Sequence, residues 1–492
     1  MPPQATGFSV QGTVIMDKTH LYQTIEDKSK IFTDLSDRIW ALAELSMEEI
    51  HSADAYIELL KELGFEITEQ IAGIPTAFSG RFGSGKPVIG ILGEFDALSG
   101  LSQVPCSAEK QALVQGGNGH GCGHNLLGAA SLAAAYAIKE AICSDQLQGT
   151  VIFYGCPGEE GCAGKTFMAR EGIFAELDAA LCWHPGDVNE VTTGSCAACL
   201  QYEYSFRGLS AHAAGDPENG RSALDAAELM NVGVQFLREH MSKSASIHYS
   251  YSDPGGLSPN VVQPTAKLIY MVRERTVRQA KQLLERVHKI AQGAALMTET
   301  AVSWRQIDGT SNTLSNTVIE QVLSENLQQA PLPAYTSEEW CFAQQLKDTF
   351  HSTQLPGQRT EDDPKLQAYV RKQTQDGTKA LNDFILPYDR STAFNPGSTD
   401  VGDVSWLTPT AQFTAVTWVS GSPGHSWQNV SIGKSSIAHK GLLYAAKVLA
   451  GATADMMSNS KLLNEIRDEF SVAAADGYDC PVEYGYKDGS QI

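Results

Sequence analysis

An α/β fold is predicted: a catalytic-type domain with a mostly parallel sheet flanked by helices, interrupted by an inserted ferredoxin-like α+β domain. Three observations predict it. First, short continuous apolar runs at 88–92, 150–154 and 179–182 alternate with helix-like stretches. Strands buried on both faces need such runs, and in a parallel sheet the binding groups gather at the carboxyl ends. Second, from about residue 197 the pattern changes to β-α-β-β-α-β, the split βαβ order of a ferredoxin-like unit. Third, 492 residues exceed the span of one hydrophobic core, so two domains are expected, 1–197 with 312–492 and the insert 198–311.

Taken in order, residues 20–70 read as two helices. The first carries Ile31, Leu35, Ile39 and Leu42 at helical spacing, and the second spans 53–63 and stops before Gly64. The alanine-rich stretch 125–143 is the most apolar long segment. Its Tyr136, Lys139 and Glu140 suit a packed helix better than a bilayer span. In the insert, a strand at 201–206 precedes a helix at 222–240, strands at 247–251 and 266–272, a helix at 277–297 and a strand at 301–306. Residues 330–395, rich in Gln, Asp, Lys and Pro, show little periodicity apart from 340–350 and read as a loop or small cap. The chain then finishes with a strand at 412–419, a Gly421–His425 turn and a helix at 436–449.

Composition excludes several classes of function. Net charge is −21, from 36 Lys+Arg against 57 Asp+Glu, with no basic run, so neither nucleic acid nor an anionic membrane is an expected partner. The opening Met1-Pro2-Pro3-Gln4 has no charged segment followed by an apolar one, so a cytoplasmic location is expected. Ten cysteines in so long a chain are not a disulfide framework. Cys196 and Cys199 form a C-x-x-C pair, but without the strand-then-helix setting of a redox site they read as strand packing.

The chemistry concentrates at glycine-rich turns and strand ends. Gly119-His120-Gly121-Cys122-Gly123-His124-Asn125 sets a thiol two residues from an imidazole, Glu159-Glu160 follows one apolar strand, His184 ends another, and His425 lies in a late turn. Cys122, His124, Glu160, His184 and His425 are a mixed S/N/O set. Five ligands exceed one closed tetrahedral shell and suit two divalent ions per chain. Such a pair acidifies water and polarises a carbonyl, which points to hydrolysis. Glu159, beside a ligand but free of it, is the candidate general base.

These residues carry a family resemblance. The sequence resembles the amidohydrolase branch of the dinuclear aminoacylase/carboxypeptidase family, which includes hippurate and auxin-conjugate hydrolases, and most closely its aminobenzoyl-glutamate hydrolase group. The match spans nearly the whole chain. It rests on Glu94-Phe-Asp-Ala-Leu98, Gly119–Leu126, Pro157-Gly-Glu-Glu-Gly161, Trp183-His184, Ser210-Ala-His-Ala-Ala214, Gly397–Asp403 and Gly421–Trp427. The resemblance implies metal ligation by the five residues above, with zinc or manganese as the metal, and Glu159 as base. It also implies that the insert is a lid that dimerises, that His212 reaches an active site across the dimer to stabilise an oxyanion, and that Asn260 and Arg273 meet a substrate carboxylate. Two departures are Asn125, where the branch usually has Asp, and Glu94, where it usually has Asp; they weaken any transfer of hippurate specificity.

Asp96 is either a carboxylate that orients a ligand imidazole or a strand-end cap. His120 reads as a hydrogen-bonded turn histidine, and Asp400 and Asp403 as turn carboxylates outside the site. The implied function is cleavage of N-acyl or N-aroyl amino acids, p-aminobenzoyl-glutamate being the most specific expectation, with a homodimer as the expected assembly and a related partner subunit as a further option. The alternatives are a dipeptidase for unusual dipeptides such as β-alanyl-lysine and a noncatalytic metal-binding subunit. The intact Glu159-Glu160 pair argues against the latter.

Overall fold

The computed structural model describes residues 17–352, 354–358, 360 and 363–484; Met1–Gln4, on which the expectation of a non-exported chain rests, lie outside them. The N-terminal region forms three helices rather than two: α1 (Thr19–Asp27), α2 (Ser29–Leu42) and α3 (Ile50–Glu62). The first two part at Lys28, whose ψ of 8 breaks the helix, while Leu35 and Ile39 are buried on α2 as their spacing predicts. Two strands that the sequence does not announce follow, β1 (Glu66–Glu69) and β2 (Phe78–Ser84), the one mostly exposed and the other interrupted by glycines. β3 (Val88–Glu94) is buried throughout. Beyond a long loop come α4 (His124–Cys143), β4 (Gly149–Cys156), α5 (Gly164–Arg170), β5 (Ala179–Gly186), β6 (Glu190–Thr192) and β7 (Ser195–Cys196).

The next elements take the expected order: β8 (Ala198–Arg207), α6 (Ala223–Leu237), β9 (Ser246–Asp253), β10 (Thr265–Glu274), α7 (Val277–Thr298) and β11 (Ala301–Thr310). Their sheet, β11-β8-β10-β9, is antiparallel throughout and ferredoxin-like. It has its own core, in which Tyr204, Phe206, Leu268 and Tyr270 meet Val234 of α6 and Leu284 of α7.

After α8 (Thr317–Gln329), the stretch expected to be a loop or small cap holds two helices, the first overlapping the periodic 340–350. α9 (Ser337–Lys347) opens on a reciprocal Thr336–Glu339 capping box, and α10 (Pro364–Gln373) has proline in its first turn with the Asp363 side chain accepting from the Lys365 N–H. The chain closes with β12 (Phe394–Asn395), α11 (Val401–Ser405), β13 (Thr410–Val416), α12 (Trp427–Ile432), α13 (Ser436–Ser458) and α14 (Ser460–Ala473).

The large sheet runs β1-β2-β4-β3-β5-β13-β6. Its four central strands, β4, β3, β5 and β13, are parallel, and antiparallel β1, β2 and β6 lie outside them. α4 and α13 pack with α1 and α2 in one core, whereas Phe167 and Met168 of α5 belong to another with Leu92 and Tyr154. Connections after β3 and β4 therefore leave toward opposite faces and open a crevice at the strand ends. α4 is long and apolar enough to cross a bilayer, yet most of its 20 residues are buried inside the protein.

Candidate metal centre

At the head of α4, Gly123 adopts φ 77, a left-handed turn that lets Cys122 and His124 enter the same crevice. A side chain there would also press on Pro185, whose Cγ lies 2.9 Å from the position of a Cβ. Among the described residues, three overlapping groups offer ligand atoms within 4.8 Å of one another: Cys122, Glu160 and His425; His124, Glu159 and Glu160; and Glu94, His124 and His184. All five predicted ligands and the predicted base thus come together. Glu94 is the addition that sequence reasoning missed, although a carboxylate closing an apolar strand is the signal that singled out Glu160.

Asp96 resolves in favour of the orienting role. His124 Nδ1 donates to its Oδ1 at 2.9 Å, while the Ser46 hydroxyl and the Glu160 N–H donate to Oδ2 at 2.8 and 2.9 Å. A carboxylate held on three sides fixes which imidazole nitrogen faces the crevice. That nitrogen, His124 Nε2, lies 3.2 Å from Glu94 Oε2, and His184 Nε2 lies at the same distance from it. His425 Nε2 stands 3.5 Å from Glu160 Oε2 on the outer wall, its side chain 55% exposed.

Behind Glu94 sits a buried lysine that no motif announces. Lys165 Nζ lies 2.6 Å from Glu94 Oε1 and 2.5 Å from Asp400 Oδ1, with all three side chains fully buried. Asp400 also accepts from the Lys165 N–H at 2.9 Å. Burial opposes a charge on Glu94, but Lys165 and then His184 outweigh it and hold its carboxyl well below the usual range. For Glu159 burial and then the charges of Glu94 and Asp400 act together, raising it well above the ordinary value. A carboxyl partly exposed in the crevice and raised in this way is placed to exchange a proton with a group beside it.

The donors fit metal ions. His124 Nε2, Glu94 Oε2 and Glu160 Oε1 are buried without a hydrogen-bond partner among the described residues, a costly arrangement unless a cation satisfies them. Burial also pushes the Cys122 thiol up to about 12, so its thiolate, the ligating form, calls for a cation beside it. His124 is buried, which disfavours its charge, yet Cys122 and Asp96 raise it well above its ordinary value: the crevice attracts positive charge.

Other expectations fall outside the cluster. His120 donates from Nε2 to the Ile39 carbonyl at 3.1 Å, as a turn histidine should. Asn125 donates to Ser36 Oγ and the Gly433 carbonyl, tying α4 to its neighbours. Asp403 accepts from Thr166, Ser311 and Tyr478, away from the ligands; Asp400 reaches the cluster only through Lys165. Cys196 and Cys199 are buried and unpaired. His212, Asn260 and Arg273 do not belong to any of the three ligand groups found among the described residues. His212 and Asn260 lie side by side: Ala213 N–H donates to the Asn260 carbonyl at 3.0 Å, and His212 bridges Val261. Arg273 pairs with Cys199 near the other end of β10 and shares that thiol's surroundings with Ser398. From Thr265 to Arg273 the strand rises about 26 Å at roughly 3.3 Å per residue, so Asn260, beyond the start of β10, and Arg273, near its finish, lie toward opposite ends of the strand.

Comparison with known proteins agrees with this architecture. The model of peptidase family M20/M25/M40 matches residues 90–385. A subunit of the p-aminobenzoyl-glutamate hydrolase of Escherichia coli K12 is 42% identical over 465 residues, covering 93% of this chain and 96% of that one. The Xaa-Arg dipeptidase of Mus musculus is 25% identical over 481 residues, 95% of each chain. The crystal structure of the aminobenzoyl-glutamate utilization protein from Klebsiella pneumoniae has the same fold, with a TM-score of 0.57 at 17% identity over 86% of this chain and 98% of that one. With a family match over more than half its length and a near full-length relative well above the level of chance likeness, the chain belongs to peptidase family M20/M25/M40.

Proposed function

We propose that the chain is a metal-dependent amidohydrolase that cleaves N-acyl or N-aroyl amino acids, with p-aminobenzoyl-glutamate as the first substrate to test. The observation that carries this reading is the position of Glu159, within ligand distance of His124 and Glu160 where the three groups overlap. Two divalent ions held by Cys122, His124, Glu160, His184 and His425 would supply Lewis acidity, lowering the pKa of water and polarising the amide carbonyl. Glu159 takes the proton from the attacking water and returns it to the departing amine nitrogen. Asp96 keeps the His124 ring in register, and Lys165 holds Glu94. The thiolate and imidazoles favour zinc, with manganese as the alternative.

The remaining donor comes from the second copy of a homodimer. His212 is exposed, and its Nδ1 accepts from the Ala214 and Gly215 N–H groups at 3.3 and 3.0 Å. Its proton is therefore on Nε2, directed away from its own loop, ready to donate to an oxyanion. We assign residues 198–311 as the lid and dimerisation domain. β9 supplies an open sheet edge, and neighbouring Val232 and Phe236 are 50% and 65% exposed. A substrate then meets Arg273 from the chain that holds the metals and His212 with Asn260 from the partner, which accounts for their separation along β10. The guanidinium suits a carboxylate. The Escherichia coli relative is named as one subunit of its hydrolase, which supports a further, related partner for this chain, and ten unpaired cysteines support a cytoplasmic location.

A dipeptidase acting before a basic residue is the second reading, favoured by the murine relative. One assay separates them: glutamate release from p-aminobenzoyl-glutamate against lysine release from β-alanyl-lysine, each with and without chelator. Chelator-sensitive glutamate release supports the proposal; lysine release alone would replace it.

A further inference from the structure

We propose that Glu94 is a sixth metal ligand, presenting Oε2 to the ion shared with His124 and His184, and that Lys165 with Asp400 holds it in that pose. The inference rests on the dinuclear reading above and adds to its ligand set. Two of the three groups among the described residues share no member, Cys122 with Glu160 and His425, and Glu94 with His124 and His184; the third, His124 with Glu159 and Glu160, joins them. Without Glu94 the second position has two imidazoles and only a share of the acidic groups.

The atoms of the Glu94, His124 and His184 triad converge on one buried point. With Nδ1 donating to Asp96, His124 turns Nε2 toward Glu94 Oε2 at 3.2 Å, and neither atom has a hydrogen-bond partner among the described residues. His184 Nε2 stands at 3.2 Å from the same oxygen. In a tetrahedral zinc shell with bonds of about 2.0–2.1 Å, neighbouring ligand atoms lie about 3.3–3.4 Å apart. The spacing is that of ligands around one ion.

Lys165 accounts for the geometry of the carboxylate. It occupies Oε1 at 2.6 Å, leaving Oε2 alone to face the histidines, and Asp400 fixes the ammonium from behind at 2.5 Å. Charge is offset as well. Glu94, Asp96, Glu159 and Glu160 make the crevice rich in carboxylates, which divalent ions offset, while Lys165 and Asp400 offset each other. Buried charge is tolerated when it is matched in this way.

The test is titration of zinc into chelator-stripped full-length protein, read as stoichiometry and affinity by calorimetry, with circular dichroism to confirm folding. Wild type should take two equivalents. Glu94→Gln should keep one tight equivalent and bind the second at least about 100-fold more weakly. Glu94→Asp retains the charge that Lys165 needs but withdraws the carboxylate from both imidazoles, and it should show the same selective loss if Glu94→Gln fails to fold. Replacing the anchor as a neutral pair, Lys165→Met with Asp400→Asn, should weaken the second equivalent about 10- to 100-fold. Two equivalents at wild-type affinity in the Glu94 variants would overturn the ligand assignment, and an unchanged second equivalent in the double variant would overturn the anchor. Fewer than two equivalents in wild type would instead refute the dinuclear reading itself.

Discussion

The metal centre draws its groups from five separated places, 94–96, 122–124, 159–160, 184 and 425, and fully buries Glu94, Asp96 and His124; the loops around 212 and 260 hold His212 and Asn260 together in solvent. In the first region the buried members hold one another. Asp96 orients His124, Lys165 anchors Glu94, and the Glu160 N–H closes on Asp96. In the second the backbone does the holding: the Ala214 and Gly215 N–H groups donate to His212 Nδ1. A site completed within one chain needs an interlocked interior. A site completed by a second chain needs an exposed donor in a defined tautomer, which is what His212 offers.

Breaking each region in turn gives effects of descending size. Glu159→Gln should retain fold and metals but lower turnover by about 10²- to 10⁴-fold, since an amide cannot accept the proton of water; steady-state kinetics alongside metal analysis checks this. His212→Ala should cost about 10²- to 10³-fold in turnover, with metal content unchanged because the residue lies outside the cluster. Asp96→Asn should act on the metal instead, lowering affinity by about 10- to 100-fold as the His124 ring loses its acceptor, measurable by competition with a chromophoric chelator.

A control from neither region sharpens the contrast. Glu320 is buried and accepts from Tyr388 Oη at 2.9 Å, and burial raises its carboxyl from 4.5 to about 7. Because its folded value is raised, it contributes stability that is complete below the unfolded value and lost as pH rises through about 7. Glu320→Gln should therefore flatten the fall in melting temperature across that range, with the Tyr388 contact kept by the amide oxygen and kinetics unaltered.

Much of this was legible before the fold was known, for reasons that differ by residue. The strands at 88–92, 150–154 and 179–182 are buried on both faces and so read as unbroken apolar runs, and the ligands follow from glycine-rich turns at their ends. The insert keeps its order because each of its elements packs one face on a common core. β2 was hidden because Gly80 and Gly83 lie within it, and α10 because its composition is polar, although its Asp363-Pro364 start was present to be read; α9 showed as the periodic stretch 340–350, with its start at the Thr336–Glu339 box unread. Lys165 was invisible: a single lysine after glycine has no pattern, and its meaning arises only when folding sets it between Glu94 and Asp400, 71 residues upstream and 235 downstream. The resemblance associates Arg273 and Asn260 with one substrate carboxylate, and that they lie toward opposite ends of β10 within one chain shows only in the folded strand pairing.

If a working site combines the metal centre of one chain with the exposed histidine of another, two inactive variants should restore each other. Inactive His212→Ala and inactive Glu159→Gln proteins are mixed under conditions where subunits exchange, and amide hydrolysis is measured. Recovery of up to about a quarter of wild-type activity is expected at equal mixing, since half the dimers are then mixed and one of the two sites in each has both an intact base and an intact partner histidine. Mixtures that stay inactive although mass measurement shows mixed dimers would contradict it and place His212 outside the neighbouring site.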